Sequence, residues 1–164
     1  MIRALRAEDL PAVTAIYAHY VTDSVATFDE VPPSQEAWRE KAEDIEIRGL
    51  PFLVAEIDGV VAGYAYAAAY RPKPAYRHTV EDTVYLAPGR TGQGIGRALL
   101  KELLGLAAEA GAKQMIAVIA DNGSESAASL ALHAAEGFTE AGRLRHVGFK
   151  HGRWLDTVLL QRAL

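Results

Sequence analysis

The chain of 164 residues contains no cysteine. Disulfide bonds, zinc sites with cysteine ligands and thiol nucleophiles are therefore excluded, and we expect a cytoplasmic protein because such a chain suits a reducing compartment. The chain also lacks any apolar run near the roughly 20 residues of a membrane span. Its first ten residues lack the hydrophobic region of a signal peptide. We therefore expect no membrane partner.

Charge of either sign is moderate and evenly spread. The formal net charge is −4, and acidic and basic residues are interspersed. Such a surface gives no electrostatic reason to bind nucleic acid or anionic lipid. Half of the residues are hydrophobic, which is enough for one sizeable core in a chain of this length. We therefore predict a single domain over residues 1–164 and a small-molecule partner.

The stretch from residue 79 to residue 104 changes from strand to turn to helix. In residues 79–86, apolar side chains alternate with polar ones, and Val80, Val84 and Leu86 share one face. This alternation predicts a strand with one face on a core.

A glycine-rich turn follows this strand. Gly92, Gly94 and Gly96 occur at every second position, directly before apolar residues at helical spacing. Backbone N–H groups at such a helix start can converge on an anion, and the helix dipole adds positive potential there. The turn is therefore a candidate diphosphate site.

Two common phosphate-binding motifs do not fit the turn. A P-loop requires Gly-Lys-Ser/Thr, and neither a lysine nor a hydroxyl follows Gly94. A dinucleotide fingerprint requires GxGxxG in a βαβ unit, whereas residues 92–98 read GxGxGxA without that frame. A glycine-rich turn with only a structural role remains an alternative.

The rest of the chain alternates between strand and helix patterns. The Asp58-Gly59 pair predicts a tight hairpin turn, and the charged residues of a helix capped by Ser34 are expected to face solvent. The order predicts a mixed sheet covered by helices. The predicted elements are strand 2–5, a helix starting at Asp9, helix 34–48, strands 51–57, 60–70 and 79–86, helix 95–110, strand 114–120, helix 126–136, and strands 138–147 and 153–160.

Several blocks resemble the GNAT superfamily of acyl-CoA N-acyltransferases. Residues 91–96 are similar to its Gln/Arg-x-x-Gly-x-Gly/Ala loop. The blocks 76–85, 132–138 and 147–156 are similar to the branch of phosphinothricin and methionine sulfoximine N-acetyltransferases. The resemblance covers nearly the whole chain. It implies an α/β (α+β) fold with a mixed, mostly antiparallel central sheet flanked by helices.

The resemblance also implies acetyl-CoA as co-substrate and no metal. It places pantetheine against the strand before the turn and the diphosphate on the turn. Thr91 stands where the motif has glutamine or arginine, with Arg90 one place early, and Ser126 stands where the branch has asparagine. The residues predicted to bind acetyl-CoA are Val84, Tyr85, Leu86, Arg90, Thr91, Gly92, Gln93, Gly94, Ile95, Gly96, Arg97 and Ser126.

Acyl transfer to an amine requires a proton acceptor and a group that stabilises the thioester oxyanion. Glu81 is the predicted base, because it shares a strand face with Thr83 and Tyr85 and matches the glutamate to which the resembled branch assigns this role. Burial would raise its pKa toward the working pH. A strand glutamate that simply faces solvent is the alternative.

His133 is the second predicted catalytic residue. The resembled branch has a histidine where many GNAT enzymes have a tyrosine that protonates the leaving thiolate. Imidazole titrates near neutral pH, so His133 would serve as an acid or as an alternate base. A histidine with a structural role in an alanine-rich helix is the alternative.

The acceptor residues are predicted partly from the resemblance, in which the loop between the first two helices borders the acceptor site. This implies contacts from Thr27 and Phe28, although a solvent-exposed connector with one anchoring aromatic fits the segment equally well. Arg77 can pair with a carboxylate in a forked geometry. The predicted acceptor-binding residues are Thr27, Phe28, Tyr76, Arg77 and Glu81.

The resemblance implies direct transfer, within a ternary complex, to the α-amine of a small amino-acid-like acceptor such as phosphinothricin or methionine sulfoximine. It also implies a homodimer. Two alternatives remain open: a GNAT enzyme that acylates another amine, such as a protein N-terminus or a polyamine, and a non-catalytic acyl-CoA-binding module. The presence of both Glu81 and His133 argues against the second.

Overall fold

The order of strands and helices matches the predicted order. The computed structural model describes residues 1–164. The strands are β1 (Ile2–Ala4), β2 (Phe52–Ile57), β3 (Val60–Ala69), β4 (Thr79–Leu86), β5 (Gln114–Asp121), β6 (Thr139–Lys150) and β7 (Arg153–Ala163). The helices are α1 (Leu10–Asp23), α2 (Gln35–Ile47), α3 (Ile95–Glu109) and α4 (Ser124–Ala135), with short 3₁₀ helices at Ala7–Asp9 and Pro74–Tyr76.

All seven strands form one sheet in the order β1-β2-β3-β4-β5-β7-β6. Every neighbouring pair is antiparallel except β4 and β5, which confirms the mixed, mostly antiparallel sheet. The parallel pairing is short, because it runs only from Thr79 opposite Gln114 to Glu81 opposite Ile116. Beyond Glu81 the two strands are unpaired, and we call the gap between residues 82–86 and 117–121 the β4–β5 cleft.

Apolar clusters lie on both faces of the sheet. Val80, Val84 and Leu86 pack with the cluster that includes the buried side of α3. Tyr85 packs on the opposite face, with the aromatic cluster under α1 and α2. The predicted alternation of residues 79–86 is therefore confirmed, and β4 is the strand that connects the two cores.

Local sequence signals explain several element ends. Asp58 and Gly59 have φ angles of 50° and 75°, as a type I′ hairpin turn requires. The Ser34 hydroxyl accepts a hydrogen bond from the Ala37 N–H at 3.1 Å and caps α2 as predicted. None of the helices combines the length and hydropathy that a membrane span needs.

Three element boundaries differ from the prediction by two or three residues, and several others differ by one. Helix α4 begins at Ser124, two residues earlier than expected, because the Asn122 side chain accepts the N–H of Ser126 at 2.7 Å. Strand β6 continues to Lys150 because its pairing with β7 resumes at Gly148 after an irregular segment. Strand β7 extends to Ala163, which pairs with Gln114 of β5.

Candidate active site

The backbone of β4 presents alternate residues to its two neighbours. The N–H of Ala87, just after the strand, donates to Ala62 O at 2.8 Å, on the β3 side. His78 O, just before the strand, accepts from Lys113 N at 2.8 Å, on the β5 side. Because consecutive peptide groups in a strand point to opposite sides, the even-numbered residues of β4 direct their N–H and C=O groups toward β5.

This alternation separates the three residues predicted to contact pantetheine. Val84 and Leu86 direct their backbone groups into the β4–β5 cleft, where β5 does not pair with them. Tyr85 directs its backbone toward β3, opposite Tyr64. Tyr20 Oη donates to Leu86 O at 2.6 Å, so the Leu86 N–H remains the free group of that residue. An extended ligand in the cleft can therefore form with β4 the backbone hydrogen bonds that a neighbouring strand would otherwise form.

The start of α3 lies at the end of this cleft edge. Gly94 is the N-cap with φ 79°, Gly92 has φ 76°, and no side chain caps the helix. The first N–H groups of a helix have no intrahelical partner. In α3 the hydrogen bond that involves the N-cap carbonyl runs from the Ala98 N–H to Gly94 O. A Cβ on Gly96 would lie 3.7 Å from the Leu86 side chain, so the helix packs closely on β4. The preceding N–H groups are available to an anion.

Side chains around the turn are less well directed at such an anion. Arg97 donates to Glu136 Oε1 at 2.7 Å, which draws its guanidinium toward the end of α4. Gln93 Nε2 lies 3.5 Å from Gly89 O. Arg90 and Thr91 belong to the same turn, between β4 and α3. The backbone, rather than Arg97, is therefore the main feature that fits a diphosphate.

Glu81 lies at the point where β4 and β5 separate, on the face that carries Tyr85. It is the last β4 residue paired with β5, and its β3 neighbour is Ala68. Burial, and secondly the charge of Asp82, raise the pKa of Glu81, while Lys41 opposes that rise. No hydrogen bond contributes to the pKa of this carboxylate. Glu81 is therefore a partly buried carboxylate without a side-chain partner.

His133 lies on the other face and forms a buried pair with Asp82. Its Nε2 is 2.8 Å from Asp82 Oδ2, its Nδ1 is 2.8 Å from Ser129 O, and both side chains of the pair are 4% exposed. A carbonyl only accepts, so Nδ1 carries a proton, and another proton must lie between Nε2 and the carboxylate. Burial opposes charge on the imidazole, but Asp82 and the Ser129 carbonyl together outweigh it and the pKa of His133 is raised.

The sequence interpretation missed Asp82. The signal was present, because residue 82 falls on the predicted apolar face of β4, between Val80 and Val84. A carboxylate at such a position requires a partner. His133 supplies it, so the two residues function as one unit.

The loop between α1 and α2 lies on the Glu81 side of the sheet. Thr27 Oγ1 is 2.7 Å from Tyr17 Oη, and the Tyr17 ring packs 5.3 Å from the Tyr85 ring. Lys150 is 5% exposed, its Nζ donates to Thr27 O at 2.9 Å, and burial lowers the pKa of this lysine. The loop is thereby fixed to the end of β6.

Phe28 follows Thr27 and packs on the same strand. A Cβ built on Gly148 would clash with the Phe28 ring, so the ring packs directly on the glycine backbone. Phe28 remains 37% exposed. The predicted role of Thr27 and Phe28 at the acceptor site stays a prediction, and the segment is more firmly held than a plain connector would be.

Three other predicted site residues make contacts with their own neighbours, and their predicted roles stay predictions. The Ser126 hydroxyl is buried and donates to Asp121 Oδ1 at 2.9 Å, which commits it to the start of α4. Tyr76 and Arg77 are exposed before β4. Arg77 Nη1 donates to Pro74 O at 3.2 Å, and the Tyr76 ring packs 5.7 Å from the Tyr70 ring. Side chains that could ligate a metal do not cluster anywhere in the chain.

Comparisons with known proteins agree on one family. A model described as an acetyltransferase (GNAT) domain matches residues 2–159. The phosphinothricin N-acetyltransferase of Alcaligenes faecalis is 53% identical over 163 residues, which cover 99% of this chain and 82% of that protein. The L-methionine sulfoximine/L-methionine sulfone acetyltransferase of Salmonella typhimurium is 38% identical over 166 residues, covering 99% and 94%.

A solved structure adds the cofactor to this comparison. It is the crystal structure of a GNAT superfamily phosphinothricin acetyltransferase from Sinorhizobium meliloti in complex with AcCoA. The TM-score is 0.95 and the sequence identity 47%, and the match covers 100% of this chain and 88% of that one.

Proposed function

Because the chain belongs to the GNAT family of acetyltransferases, we propose that it transfers the acetyl group of acetyl-CoA to the α-amine of a small amino-acid-like acceptor, such as phosphinothricin or methionine sulfoximine. The observation that carries the proposal is the unpartnered Glu81 carboxylate where β4 and β5 separate. The acceptor class is supported by relatives that cover 99% of the chain and are named for these two compounds.

The β4–β5 cleft and the start of α3 fit acetyl-CoA. The cleft-facing backbone of Val84 and Leu86 would hold pantetheine, and the N–H groups that follow Gly94 would bind the diphosphate. Acetyl-CoA supplies a thioester carbonyl to which a neutral amine can add. The Leu86 N–H points into the cleft and is the candidate donor to the negative charge that develops on the carbonyl oxygen.

Glu81 fits the base better than His133 does. An α-amine is mostly protonated at neutral pH, and a carboxylate with a raised pKa is better matched to accept its proton. Both nitrogens of His133 are already engaged, which leaves no free lone pair. The proton shared by His133 and Asp82 is available for return to the thiolate, and the acid role of His133 is part of this proposal.

Direct transfer in a ternary complex fits this set of residues. The chain has no cysteine that would carry the acyl group, and in this proposal Glu81 activates the acceptor rather than attacking the thioester. The acceptor would approach from the side of α1 and α2, where the Thr27–Phe28 loop and Tyr17 lie.

The proposal is tested by thiol release from acetyl-CoA with a panel of amines. Phosphinothricin and methionine sulfoximine should be turned over, and an alanine-terminated peptide and spermidine should not. Turnover of only the peptide or only the polyamine would overturn the acceptor class. Acetyl-CoA binding without turnover of any amine would identify a binding module instead.

Substitution of Gly94 should weaken acetyl-CoA binding. A valine at φ 79° is strained by about 1–2 kcal/mol, and relief of that strain rotates the N–H groups that follow. We expect Gly94→Val to raise the Kd for acetyl-CoA at least about tenfold by calorimetry, a loss of roughly 1.4 kcal/mol.

Gly105 provides the matched control, because it lies within the same helix with open space around it and an ordinary helical backbone. Gly105→Ala should leave the Kd unchanged and add up to about 1 kcal/mol of stability. Wild-type affinity in Gly94→Val would show that the diphosphate binds elsewhere.

We also propose that the protein is a cytoplasmic homodimer of a single domain spanning residues 1–164. Exposed apolar side chains support a partner at the β6–β7 hairpin, where Phe149 and Trp154 are 54% and 65% exposed and their rings lie 4.9 Å apart. Trp154→Glu should convert the dimer to a monomer in sedimentation velocity. A monomeric wild-type protein would contradict the proposal.

A further inference from the structure

A basic residue of α2 lies on the Glu81 side of the sheet without an acidic partner. Arg39 pairs with Glu36 and with Glu43, and Arg48 at the end of the helix pairs with Asp44. Lys41 has no such pair. Its ammonium is the basic group of this helix that remains free to bind a ligand.

Aromatic side chains hold the Lys41 ammonium over the sheet. Its Nζ lies 5.2 Å from the centre of the Tyr66 ring and 5.9 Å from that of Trp38, both within the range of a cation–π contact. Tyr66 and Trp38 are 6% and 3% exposed, so the surface beneath the ammonium is fixed. Lys41 itself is exposed to solvent.

The register of β3 and β4 relates this position to Glu81. Tyr66 is paired with Thr83, and Glu81 is paired with Ala68, one step further along the same face. The Lys41 charge acts on Glu81, although the two side chains do not form an ion pair. Asp82, the other charged group that acts on Glu81, points to the opposite face and is paired with His133. The Lys41 ammonium and the Glu81 carboxylate therefore lie over the same face of the sheet without contacting each other.

An α-amino acid carries the complementary pair of charges on adjacent atoms. Resting on the function proposed above, we propose that Lys41 binds the α-carboxylate of the acceptor while Glu81 receives the proton of its α-amine. Lys41 is then a specificity-determining residue, which selects α-amino acids over amines that lack a neighbouring anion.

The test compares Lys41→Met with the wild type on two acceptors, methionine sulfoximine and its α-carboxamide. Methionine keeps the aliphatic stem over Tyr66 and removes only the charge. We expect the KM for the acid to rise roughly 10- to 100-fold, the size of a lost hydrogen bond to a charged group. Loss of the Lys41 charge also raises the pKa of Glu81 further, so the comparison is made above the pH range in which Glu81 titrates. There the KM for the carboxamide and both kcat values should stay within about twofold. Lys41→Arg should restore part of the loss.

Lys101→Met on α3 serves as the matched control. It should change neither KM nor kcat for either acceptor, because Lys101 is exposed on a different helix. If the KM for the acid divided by the KM for the carboxamide is the same in the wild type and in Lys41→Met, the inference is overturned while the proposed function stays intact. If that KM ratio is unchanged in Lys41→Met but the KM for the acid alone rises in Arg77→Met, Arg77 is the residue that binds the α-carboxylate. Absence of turnover of every amino acid by the wild type would instead refute the proposed function.

Discussion

Glu81→Gln is expected to lower kcat about 10²- to 10⁴-fold, the usual contribution of a positioned general base. Glutamine keeps the size of the side chain but cannot accept a proton from the acceptor ammonium. The native carboxylate has no hydrogen-bonded side-chain partner, so its replacement breaks no hydrogen bond or ion pair. Steady-state kinetics with methionine sulfoximine measures the loss, and calorimetry should show unchanged acetyl-CoA affinity.

The pH profile provides an independent check on Glu81. Burial, assisted by Asp82, raises the pKa of this carboxylate, and the base acts only when ionised. The wild-type kcat/KM should therefore fall as pH drops through the raised value, and Glu81→Gln should lose that limb. Glu102→Gln, on the exposed side of α3, is the control. A Glu81→Gln variant with wild-type kcat would exclude Glu81 as the base.

Removal of the Asp82 carboxylate should destabilise the fold by about 3–5 kcal/mol, the usual effect of breaking a buried ion pair. Asp82→Ala leaves the buried Nε2 of His133 without a partner. Asp82→Asn should lose less, because its amide can donate to an unprotonated Nε2. Urea unfolding measures both differences.

The contribution of the Asp82–His133 pair to the free energy of unfolding should depend on pH. Burial opposes the charge on His133, but Asp82 raises the pKa of the imidazole overall. The contribution of the pair is thus fully present below the ordinary histidine pKa of about 6.5 and is lost as pH rises through the raised value. In Asp82→Asn the free energy of unfolding should not show this decrease with rising pH. A wild-type stability that stays flat across that range would contradict the assigned proton.

His133 needs a readout separate from stability. His133→Gln, measured well below its unfolding midpoint, should lower kcat per folded molecule if the shared proton returns to the thiolate. An unchanged kcat with reduced stability would assign the Asp82–His133 pair to the core alone. The apolar double variant Asp82→Leu/His133→Leu should recover part of the stability that Asp82→Ala loses.

Local sequence patterns predicted most elements, because alternation, caps and turn residues act over a few neighbours. Ser34 and the Asp58-Gly59 pair are examples, and each forms the predicted cap or turn. The start of α4 was missed because Asn122, the residue before the N-cap Gly123, accepts the Ser126 N–H from outside the apolar pattern. Both faces of β4 were also predicted, and Glu81 and His133 were identified with the help of a family resemblance.

Long-range pairing decided what the sequence alone did not predict. The β4–β5 cleft exists because β5 pairs with β4 over three residue pairs and then only with β7, and no local pattern specifies where two strands part. The antiparallel pairing of β4 with β3 turns the Tyr85 backbone away from the cleft. Lys41 was hidden among the charged residues of α2, since its free ammonium is evident only once the ion pairs of its neighbours are known.

The opposite orientation of Glu81 and Asp82 restricts how the length of the chain can vary. A one-residue deletion or insertion in β4 before Glu81 would exchange the two carboxylates between the faces of the sheet. The candidate base would then be buried next to His133, and the aspartate would face the acceptor. Length variants should therefore be tolerated in the turn at Asp58-Gly59, where nothing packs against Gly59, and eliminated by selection within β4.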